Sequence, residues 1–468
     1  MKKLNKNKAL AVLICLVLFL VGCTAKDTQT SAPAETTAVY TASGEGKNGP
    51  VTIKVTFEGS KIAEVLVTEH QETEGVATPA LERIPAAIVE QQSVAVDAIS
   101  GATITSNAII EAVKSCINQA GLNIKDYSAK LAKQYSSQEL STDVLVIGGG
   151  GAGLTAAIEA ANQGADVILL EKLSTVGGST KLSEGMVIRG AKEGESQKAL
   201  TADELYQLYV NYGKDNKYFK EPMVRDFTRN LESNMDWLLE KGFIAQPYLY
   251  QGWVPLDPSN SQNADNISYI VMVNGKPEGG KGYYLTSALE KAALDAGVKI
   301  MTNTAGTELI TNDQKEVIGA KARSSDNTEY TIWAKAVVLA CGGFGGSKDI
   351  MAEYTALSPY ESLGGYVGSV GNTGDGITMA KAVGAATALY FTDLSAVPDV
   401  TYTTTGGVII NEKAQVLDEN GNPIPRLYAA GEMTNVALMG SKYTACGTYN
   451  AWSVYTGRLA GKFAAAEK

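Results

Sequence analysis

Alternation between apolar and polar residues marks a small unit near the start of the chain. The runs Val51–Phe57 and Lys61–Thr68 alternate in polarity on either side of a glycine turn, which predicts an antiparallel β-hairpin. Between Asn107 and Gln119, aliphatic residues recur at helical spacing, which predicts an amphipathic helix. The pattern therefore predicts a separate α+β unit over residues 40–121, followed by a polar, helix-compatible linker over residues 122–140.

A different pattern begins after this linker. Asp143–Ile147 predicts a buried strand, Leu154–Gln163 predicts a helix, and Asp166–Leu170 predicts a second strand. Two strands joined through a helix form a βαβ unit, which is the building block of a parallel sheet. The sequence therefore predicts an α/β body for the remainder of the chain.

Glycines connect the first strand of this unit to its helix. Gly148, Gly150 and Gly153 stand in G-x-G-x-x-G register. Such glycines allow backbone N–H groups to approach a pyrophosphate, whose charge the helix N-terminus stabilises. Glu171 follows the second strand, where dinucleotide-binding folds place an acidic residue that binds a ribose hydroxyl. The motif predicts a bound dinucleotide, and an ordinary glycine-rich turn is the alternative.

Composition limits the classes of function. The 468 residues suffice for two or three domains, and the formal net charge of −10 argues against a nucleic-acid partner. His70 is the only histidine, which disfavours a histidine-based metal site or a Ser–His relay. The five cysteines form no C-x-x-C pair, so iron–sulfur clusters, structural zinc and c-type haem lack their usual ligands. We therefore expect no metal site.

The N-terminus has the features of an export signal. A basic stretch, Lys2–Lys8, precedes the apolar stretch Ala9–Val21, which is short for a transmembrane helix. The sequence L-V-G-C, which ends at Cys23, resembles the bacterial lipobox. This resemblance implies that residues 1–22 are removed, that Cys23 is acylated, and that the protein is anchored to the cell membrane on its extracytoplasmic side. Residues 23–39 are then expected to form a flexible tether. An uncleaved anchor is the alternative.

A threonine-containing motif in the first unit carries candidate chemistry. The segment Asp97–Thr103 reads D-A-I-S-G-A-T. It resembles the flavinylation motif of FMN-binding domains in Na⁺-pumping quinone reductases and related exported flavoproteins. The resemblance implies that Thr103 carries FMN through a phosphoester bond made by a dedicated flavin transferase, with Ser100, Gly101 and Ala102 completing the FMN site. A helix start just downstream would stabilise the phosphate. A Ser/Thr-rich helix cap is the alternative.

Five short motifs follow the dinucleotide turn in the body: T-V-G-G-S-T at 175–180, C-G-G-F-G at 341–345, T-G-D-G at 373–376, Y-A-A-G-E at 428–432 and T-G-R-L-A-G at 456–461. In this order they resemble the FAD-binding domain of the soluble fumarate reductase, flavocytochrome c and urocanate reductase group. The resemblance implies a Rossmann-like α/β domain over residues 141–190 and 283–468. Residues 191–282, helical and then aromatic and irregular, would form an inserted α+β capping domain that excludes water from the substrate.

The same resemblance implies roles for individual residues around FAD. Glu171, followed by Lys172, would hold the adenosine ribose, and Asp375 and Glu432 would bond to the ribityl side. The helix that starts near Asn450 would direct its N-terminus at the flavin pyrimidine carbonyl, which favours a reduced, negatively charged flavin. The other residues implied in FAD binding are Gly148, Gly150, Gly151, Ala152, Gly153, Gly178, Ser179, Thr180, Gly342 and Gly343.

The chain departs from this family where substrate carboxylates are bound. Gly275–Gly280 lacks the family's histidine, Tyr402 lies in the motif that carries another, and the span Leu389–Val400 lacks the arginine that protonates carbon. A small dicarboxylate needs cations in a dry pocket, so fumarate is a poor candidate. Arg189 could face the flavin, and a structural salt bridge is the favoured alternative.

Tyr443 and Gly447 indicate a different chemistry. Their spacing resembles the tyrosine and glycine that polarise the substrate ketone in 3-ketosteroid dehydrogenases, which share the FAD fold. A tyrosine hydroxyl and a backbone N–H can form an oxyanion hole for an enolate. We therefore predict that Tyr443 and Gly447 are catalytic, with Tyr402 as a further candidate.

Together these features predict an exported, lipid-anchored flavin oxidoreductase. Electrons from a membrane or extracellular donor would pass to FMN on Thr103 and then to FAD. A hydride would then reduce an activated C=C bond in an unsaturated small-molecule acceptor, an enoate or enone that serves anaerobic respiration. Two alternatives remain open. One is a dehydrogenase of a ketone-bearing, steroid-like substrate, and the other is a non-catalytic flavin electron carrier.

Overall fold

A computed structural model describes most of the chain after its N-terminal segment. The described residues are 37–73, 76–99, 101–130, 135–192, 195, 199–255, 263–273, 275–277, 282–354, 366–390, 403–438 and 443–467. The expected signal sequence and Cys23 lie outside the described residues, as do Ser100 and Tyr402. Within the described part of the chain, no helix has the length and apolar character needed to cross a bilayer.

The N-terminal unit is an antiparallel three-stranded sheet, in the order β1-β2-β3, that packs against two helices. The predicted hairpin and helix are confirmed, as β2–β3 and α2. The sequence patterns missed β1, which is rich in small polar residues, and α1, whose internal Pro85 obscures its helical pattern. The elements are β1 (Thr37–Glu45), β2 (Pro50–Glu58), β3 (Lys61–Glu69), α1 (Thr78–Gln91) and α2 (Thr103–Gln119), followed by a 3₁₀ turn at Ile124–Tyr127.

Helix α2 begins at Thr103 rather than at Asn107, where the apolar periodicity starts. The chain enters it through Gly101, whose φ of +86° is a left-handed conformation that suits glycine. The Ser106 hydroxyl donates to the Ala102 carbonyl at 2.9 Å, which ties the first turn of the helix to its N-cap residue. The expected attachment threonine is therefore the first residue of the helix.

The remaining elements form the α/β body and the domain inserted in it. In chain order they are β4 (Ser136–Ile147), α3 (Gly151–Asn162), β5 (Val167–Leu170), α4 (Gly178–Leu182), β6 (Val187–Arg189), α5 (Ala202–Gly213), α6 (Glu221–Arg229), α7 (Leu231–Glu240), β7 (Ala245–Pro255), β8 (Asn263–Val273), β9 (Lys276–Pro277), α8 (Gly282–Asp295), β10 (Lys299–Met301), β11 (Thr304–Thr311), β12 (Val317–Ser324), β13 (Thr328–Leu339), α9 (Lys348–Tyr354), α10 (Asp375–Ala382), β14 (Thr387–Tyr390), β15 (Thr405–Val408), β16 (Gln415–Leu417), β17 (Pro423–Ala429), a 3₁₀ helix (Gly431–Ala437) and α11 (Thr448–Ala464).

The main sheet brings the ends of four parallel strands to one edge. Its order is β10-β5-β4-β13-β12-β11, and β17 also pairs with β13. The last residues of β4, β5, β13 and β17 are in register: Ile147 pairs with Leu170 and Leu339, and Leu339 pairs with Ala429. Open α/β sheets bind ligands outside the carboxyl ends of such strands. The segments that follow these four strands therefore converge on one site.

Both ends of the expected linker over residues 122–140 have regular structure. At the first end, Tyr127 is buried in the core of the N-terminal unit, and its backbone carbonyl accepts from the Val94 N–H at 2.7 Å. At the other end, β4 already begins at Ser136, which pairs with Thr328. The exposed first half of β4 lacks an apolar pattern, so only its pairing with β13 reveals it as a strand.

The described residues of the inserted segment form three helices and a β-hairpin, to which the short strand β9 adds. Helix α5 starts with a capping box between Thr201 and Glu204. The helical stretch expected over Arg225–Leu239 is divided into α6 and α7, which meet at Asn230. The aromatic segment that was expected to be irregular is strand β7, which pairs with β8. Backbone pairing across this hairpin, rather than local propensity, orders these residues.

Candidate functional site

Three glycines of the turn after β4 have different steric surroundings. Gly148 has a φ of +109°, and a Cβ there would lie 2.3 Å from the Ala340 carbonyl oxygen. At Gly153, a Cβ would lie 1.8 Å from the Gly148 carbonyl oxygen. At Gly150, a Cβ would have no heavy atom within 4 Å. Gly148 and Gly153 are therefore required for packing, whereas Gly150 leaves its backbone open to a ligand.

Helix α3 directs its N-terminus at the same open space. Gly150 is the N-cap residue, and it supplies no side-chain hydrogen bond to the first turn. Gly151 and Ala152, the first two residues of the helix, line a cavity together with Gly150. The N–H groups of a first helical turn have no partner within the helix, and the helix dipole is positive at this end. This end of α3 is therefore suited to bind a phosphate.

The cavity has a volume of about 780 Å³ and extends along the edge where the four strands end. It combines segments that are far apart in the chain, from the turn after β4 to the start of α11. Gly153 and Gly343 do not line it; Gly343 packs behind it, where a Cβ would lie 2.3 Å from Glu432 Oε1. The predicted site residues among its lining are Gly148, Gly150, Gly151, Ala152, Glu171, Lys172, Gly178, Ser179, Thr180, Gly342, Asp375, Glu432, Tyr443, Gly447 and Asn450.

Glu171, directly after β5, braces the glycine turn. Its carboxylate accepts hydrogen bonds from the backbone N–H groups of Gly149 at 2.9 Å and Leu173 at 2.8 Å. Burial raises the pKa of Glu171, and these two donors oppose the rise. The carboxylate thus joins the ends of β4 and β5 at the cavity wall, which is where an acidic residue can meet a ribose.

Glu432, in the 3₁₀ helix after β17, holds two other segments together. Its Oε1 accepts from the Thr404 N–H at 2.8 Å, and its Oε2 accepts from Asn372 Nδ2 at 3.0 Å. Asn372 Nδ2 also donates to Ser179 Oγ at 3.1 Å. Burial raises the pKa of Glu432, while these donors lower it. This network rules out a surface helix cap as the role of Glu432.

The sequence patterns missed Asn372, and only its position directly before the T-G-D-G motif could have drawn attention to it. A Cβ at Gly342 would lie 2.5 Å from Asn372 Oδ1, so the glycine gives this amide room beside the cavity. Asn372 therefore connects two segments that were predicted independently to surround the flavin.

Lys172 and Asp375 form an ion pair at the cavity wall. Lys172 Nζ lies 2.6 Å from Asp375 Oδ2 and donates to Thr373 Oγ1 at 2.5 Å. Asp375 is the first residue of α10, where a carboxylate also interacts favourably with the helix dipole. The charge of Lys172 is therefore balanced by a residue of the T-G-D-G motif.

The start of α11 forms the opposite end of the cavity. Asn450 Nδ2 donates to the Met186 carbonyl at 2.8 Å and to Ser183 Oγ at 3.2 Å, which ties this helix to the segment after α4. Gly447 is the N-cap residue of α11 and has a φ of +81°. A Cβ at Gly447 would lie 2.7 Å from the Ile188 backbone nitrogen, so only glycine fits here.

The structure brings Tyr443 close to Gly447. The ring of Tyr443 stacks on that of Tyr449, with ring centroids 5.0 Å apart and an interplanar angle of 30°. Burial raises the pKa of Tyr443 well above its usual value, and the Gly447 backbone N–H opposes this rise. Tyr443 is therefore a phenol at neutral pH and can donate a hydrogen bond or a proton.

Arg189 does not line the cavity. Its side chain is 2% exposed, and its Nη2 lies 2.5 Å from Glu195 Oε1. Its Nη1 donates to the Gly190 carbonyl at 2.6 Å, and its guanidinium lies over the ring of Tyr269. Arg189 thus forms the structural salt bridge that the sequence favoured.

In the N-terminal unit, the described part of the expected flavinylation motif surrounds an exposed threonine. Thr103 is exposed, whereas Ala102 before it is buried. Two residues further on, the buried Thr105 hydroxyl donates to the Glu72 carboxylate. Burial alone would raise the pKa of Glu72. Hydrogen bonds from the Asn48 backbone N–H and the Thr105 hydroxyl, among others, outweigh this effect, so the net shift of the pKa is downward. Glu72 therefore anchors the first turn of α2 and leaves Thr103 accessible.

This fold and these motifs match two families of flavin-binding domains. A model of an FAD-binding domain matches residues 143–392 and 389–448, and a model of an FMN-binding domain matches residues 46–118. The chain therefore belongs to the FAD-binding domain family and carries an FMN-binding domain before its FAD-binding part. The expected fold class, an α/β FAD-binding body preceded by a small α+β FMN-binding domain, is confirmed.

The relatives include an oxidoreductase of acrylate, a urocanate reductase and a 3-oxo-5-alpha-steroid 4-dehydrogenase. The chain is 30% identical over 400 residues to the NADH:acrylate oxidoreductase of Vibrio harveyi, and the match covers 74% of this chain and 39% of that protein. It is also 30% identical over 378 residues to the urocanate reductase of Eggerthella lenta, and this match covers 79% of this chain and 60% of that protein. The chain thus spans less than two thirds of the length of either relative.

A solved structure shows the same fold at lower identity. The open conformation of a flavocytochrome c3 fumarate reductase superposes with a TM-score of 0.59 at 20% identity, over 74% of this chain and 84% of that one. This likeness supports the arrangement of the body around its main sheet.

Proposed function

We propose that this protein is a flavin-dependent oxidoreductase that reduces an activated C=C bond. The observation that carries the proposal is the single cavity of about 780 Å³ that contains both the open glycine turn and the Tyr443–Gly447 pair. A dinucleotide held at the turn would reach toward these two groups. The reductases of acrylate and urocanate among the relatives support this class of reaction.

The residues present fit FAD. The exposed backbone of Gly150 and the N-terminus of α3 would hold its pyrophosphate, and Glu171 would meet the adenosine ribose. The N-terminus of α11 would stabilise negative charge on the pyrimidine side of the ring. When bound and reduced, FAD supplies a hydride equivalent to one alkene carbon, while a proton completes the other carbon.

Tyr443 and Gly447 would act on the acceptor itself. A hydroxyl that stays protonated can donate to a conjugated carbonyl, so that charge developing on that oxygen is stabilised. The Gly447 N–H interacts with the Tyr443 hydroxyl, and it would act as a second donor if it turned to the acceptor oxygen on binding. Tyr402 directly precedes Thr403 in the sequence, and Thr403 lines the cavity, so Tyr402 remains a further candidate for the proton donor.

Electrons are proposed to enter through FMN. The exposed Thr103 at the start of α2 could carry FMN by a phosphoester bond, because the helix N-terminus favours the phosphate and Glu72 orders this turn. The bond would be made by a flavin transferase. The donor would be a membrane or extracellular reductant, consistent with acylation of Cys23 and a location outside the cytoplasmic membrane.

The test is anaerobic reoxidation of the FMN- and FAD-loaded, dithionite-reduced protein, monitored by flavin absorbance. We expect one conjugated alkene from a panel of enoates, enones and quinones to reoxidise the protein rapidly, and Tyr443→Phe to slow this step. Reoxidation by quinones and dyes alone would refute the reductase proposal. In that case, reduction of the protein by a saturated ketone would favour the dehydrogenase alternative, which the Tyr443–Gly447 pair also fits.

A further inference from the structure

The charges that line the cavity are mostly negative. Among the described lining residues, Lys172 is the one cation, and it is paired with Asp375 at 2.6 Å. Three other carboxylates line the same space: Glu171, Glu184 and Glu432. The described lining therefore offers a substrate carboxylate no unpaired cation. Of its carboxyl groups, Glu184 is the one that is not expected to contact FAD.

Cations elsewhere in the sequence do little to change this balance. Arg189 is buried outside the cavity and paired with Glu195. The spans 355–365 and 391–402, which adjoin lining segments but lie outside the described residues, contain no Lys, Arg or His. Lys181 lies between the lining residues Thr180 and Leu182, but it does not itself line the cavity, and its Nζ donates to Thr175 Oγ1 at 2.6 Å. Lys442, which directly precedes the lining residue Tyr443, is outside the described residues.

The end of the cavity near α11 is aromatic instead. Tyr443 and Tyr449 form a stacked pair there, and Met186 and Cys446 line the cavity with them. Tyr248 of strand β7 also lines the cavity and is 47% exposed. Flat aromatic faces bind planar conjugated groups by offset stacking, and they provide no compensation for a buried negative charge.

We infer that the acceptor is an uncharged, planar, conjugated alkene, such as an aryl enone or aryl ester, and that carboxylate acceptors are excluded. This inference rests on the proposed function and specifies its substrate class. The acceptor gains two electrons and two protons, and its C=C bond becomes a single bond. An ionised carboxylate would be bound there without a cation to neutralise it. The Tyr443 hydroxyl would offer it a neutral hydrogen bond only, so the loss of its hydration would be poorly compensated.

The experiment compares methyl cinnamate with cinnamate at neutral pH, using the dithionite-reduced protein loaded with both flavins. We expect the ester to reoxidise the flavin at least about 100-fold faster than the acid. Because esters are intrinsically better hydride acceptors, binding is measured separately. Methyl 3-phenylpropanoate and 3-phenylpropanoate, which cannot be reduced, are titrated into the oxidised protein and followed by the shift in flavin absorbance. The ester should again bind at least about 10-fold more tightly.

A pair of variants tests the electrostatic cause. Glu184 lies at the exposed rim of the cavity, so Glu184→Lys should raise the affinity for 3-phenylpropanoate relative to its ester, and Glu184→Gln should give a smaller change in the same direction. If 3-phenylpropanoate bound as tightly as its methyl ester or more tightly, and Lys442→Gln removed this binding, the inference would be overturned and the reductase proposal would remain intact. Binding of both analogues without reoxidation by either alkene would instead refute the reductase proposal, and the inference with it.

Discussion

Two substitutions in the same glycine motif should separate folding from FAD binding. At Gly150, the φ of −74° suits alanine, and a Cβ would meet no heavy atom within 4 Å. At Gly153, the same methyl group would lie 1.8 Å from the Gly148 carbonyl oxygen and 3.3 Å from the Ala340 Cβ. Gly150→Ala therefore fills ligand space, whereas Gly153→Ala forces α3 away from the strand edge.

The two magnitudes follow from these distances. In Gly150→Ala, the lower entropy of the unfolded chain offsets a poorer helix cap, so the free energy of unfolding should change by less than about 1 kcal/mol. The methyl group would block one or two charge-assisted hydrogen bonds to the pyrophosphate, which lowers the FAD binding free energy by about 3 kcal/mol, or about 100-fold in Kd. In Gly153→Ala, overpacking against backbone should cost about 3 kcal/mol of stability.

The assay uses the protein stripped of noncovalent flavin, because bound FAD itself stabilises the fold. Thermal unfolding of this apoprotein should be nearly unchanged in Gly150→Ala and about 4 °C lower in Gly153→Ala. Calorimetric titration with FAD should then show the affinity loss in Gly150→Ala, at a temperature where both proteins are folded. Wild-type affinity in Gly150→Ala would refute the assignment of the open space beside this glycine to the pyrophosphate.

Three further predictions test other parts of the molecule. Thr103→Val should abolish covalent flavin, seen as loss of the FMN mass from the intact protein, whereas Ser115→Ala, at an exposed position later in the same helix, should retain it. Tyr443→Phe should lower kcat about 100-fold. The wild-type rate should show no loss from phenol ionisation up to about pH 9, because the raised pKa of Tyr443 keeps its proton bound. A loss of rate centred near neutral pH would contradict this. Glu195→Gln should lower the free energy of unfolding by about 3 kcal/mol at neutral pH, because it leaves the buried Arg189 unpaired. Arg189 lowers the pKa of Glu195, so the wild-type advantage exists above the ordinary glutamate pKa and should fade as denaturation is repeated at falling pH through the folded value.

Local patterns were sufficient to predict the strand, glycine turn and helix at one end of the cavity. The turn after β4 could be predicted because the strand, the glycines and the helix are contiguous, and the periodicity of each is undisturbed. The first half of β4 and strand β7 could not be predicted this way. The former is exposed and polar, so its pairing with β13 defines it, and the latter depends on its pairing with β8.

The contacts that connect the motifs were beyond sequence reasoning. Lys172 and Asp375 are 203 residues apart in the chain, and their ion pair exists only because β5 and α10 meet at the sheet edge. Asn372 likewise joins Ser179 to Glu432, and it belongs to none of the patterns that mark the flavin site. Such pairings follow from tertiary packing, which spacing along the chain does not encode.

Helix α11 connects the cavity wall to the helices of the inserted segment. Its first turn carries Tyr449 and Asn450, which line the cavity, and the helix is bonded along its length to the three described helices of the inserted segment. A rigid swing of those helices would break these buried or half-buried bonds, which is costly where no water replaces them. The three bonds are Tyr209 of α5 with Thr448 at 2.7 Å, Asp226 of α6 with the Tyr455 hydroxyl at 2.8 Å, and Asn234 of α7 with Arg458 at 2.8 Å.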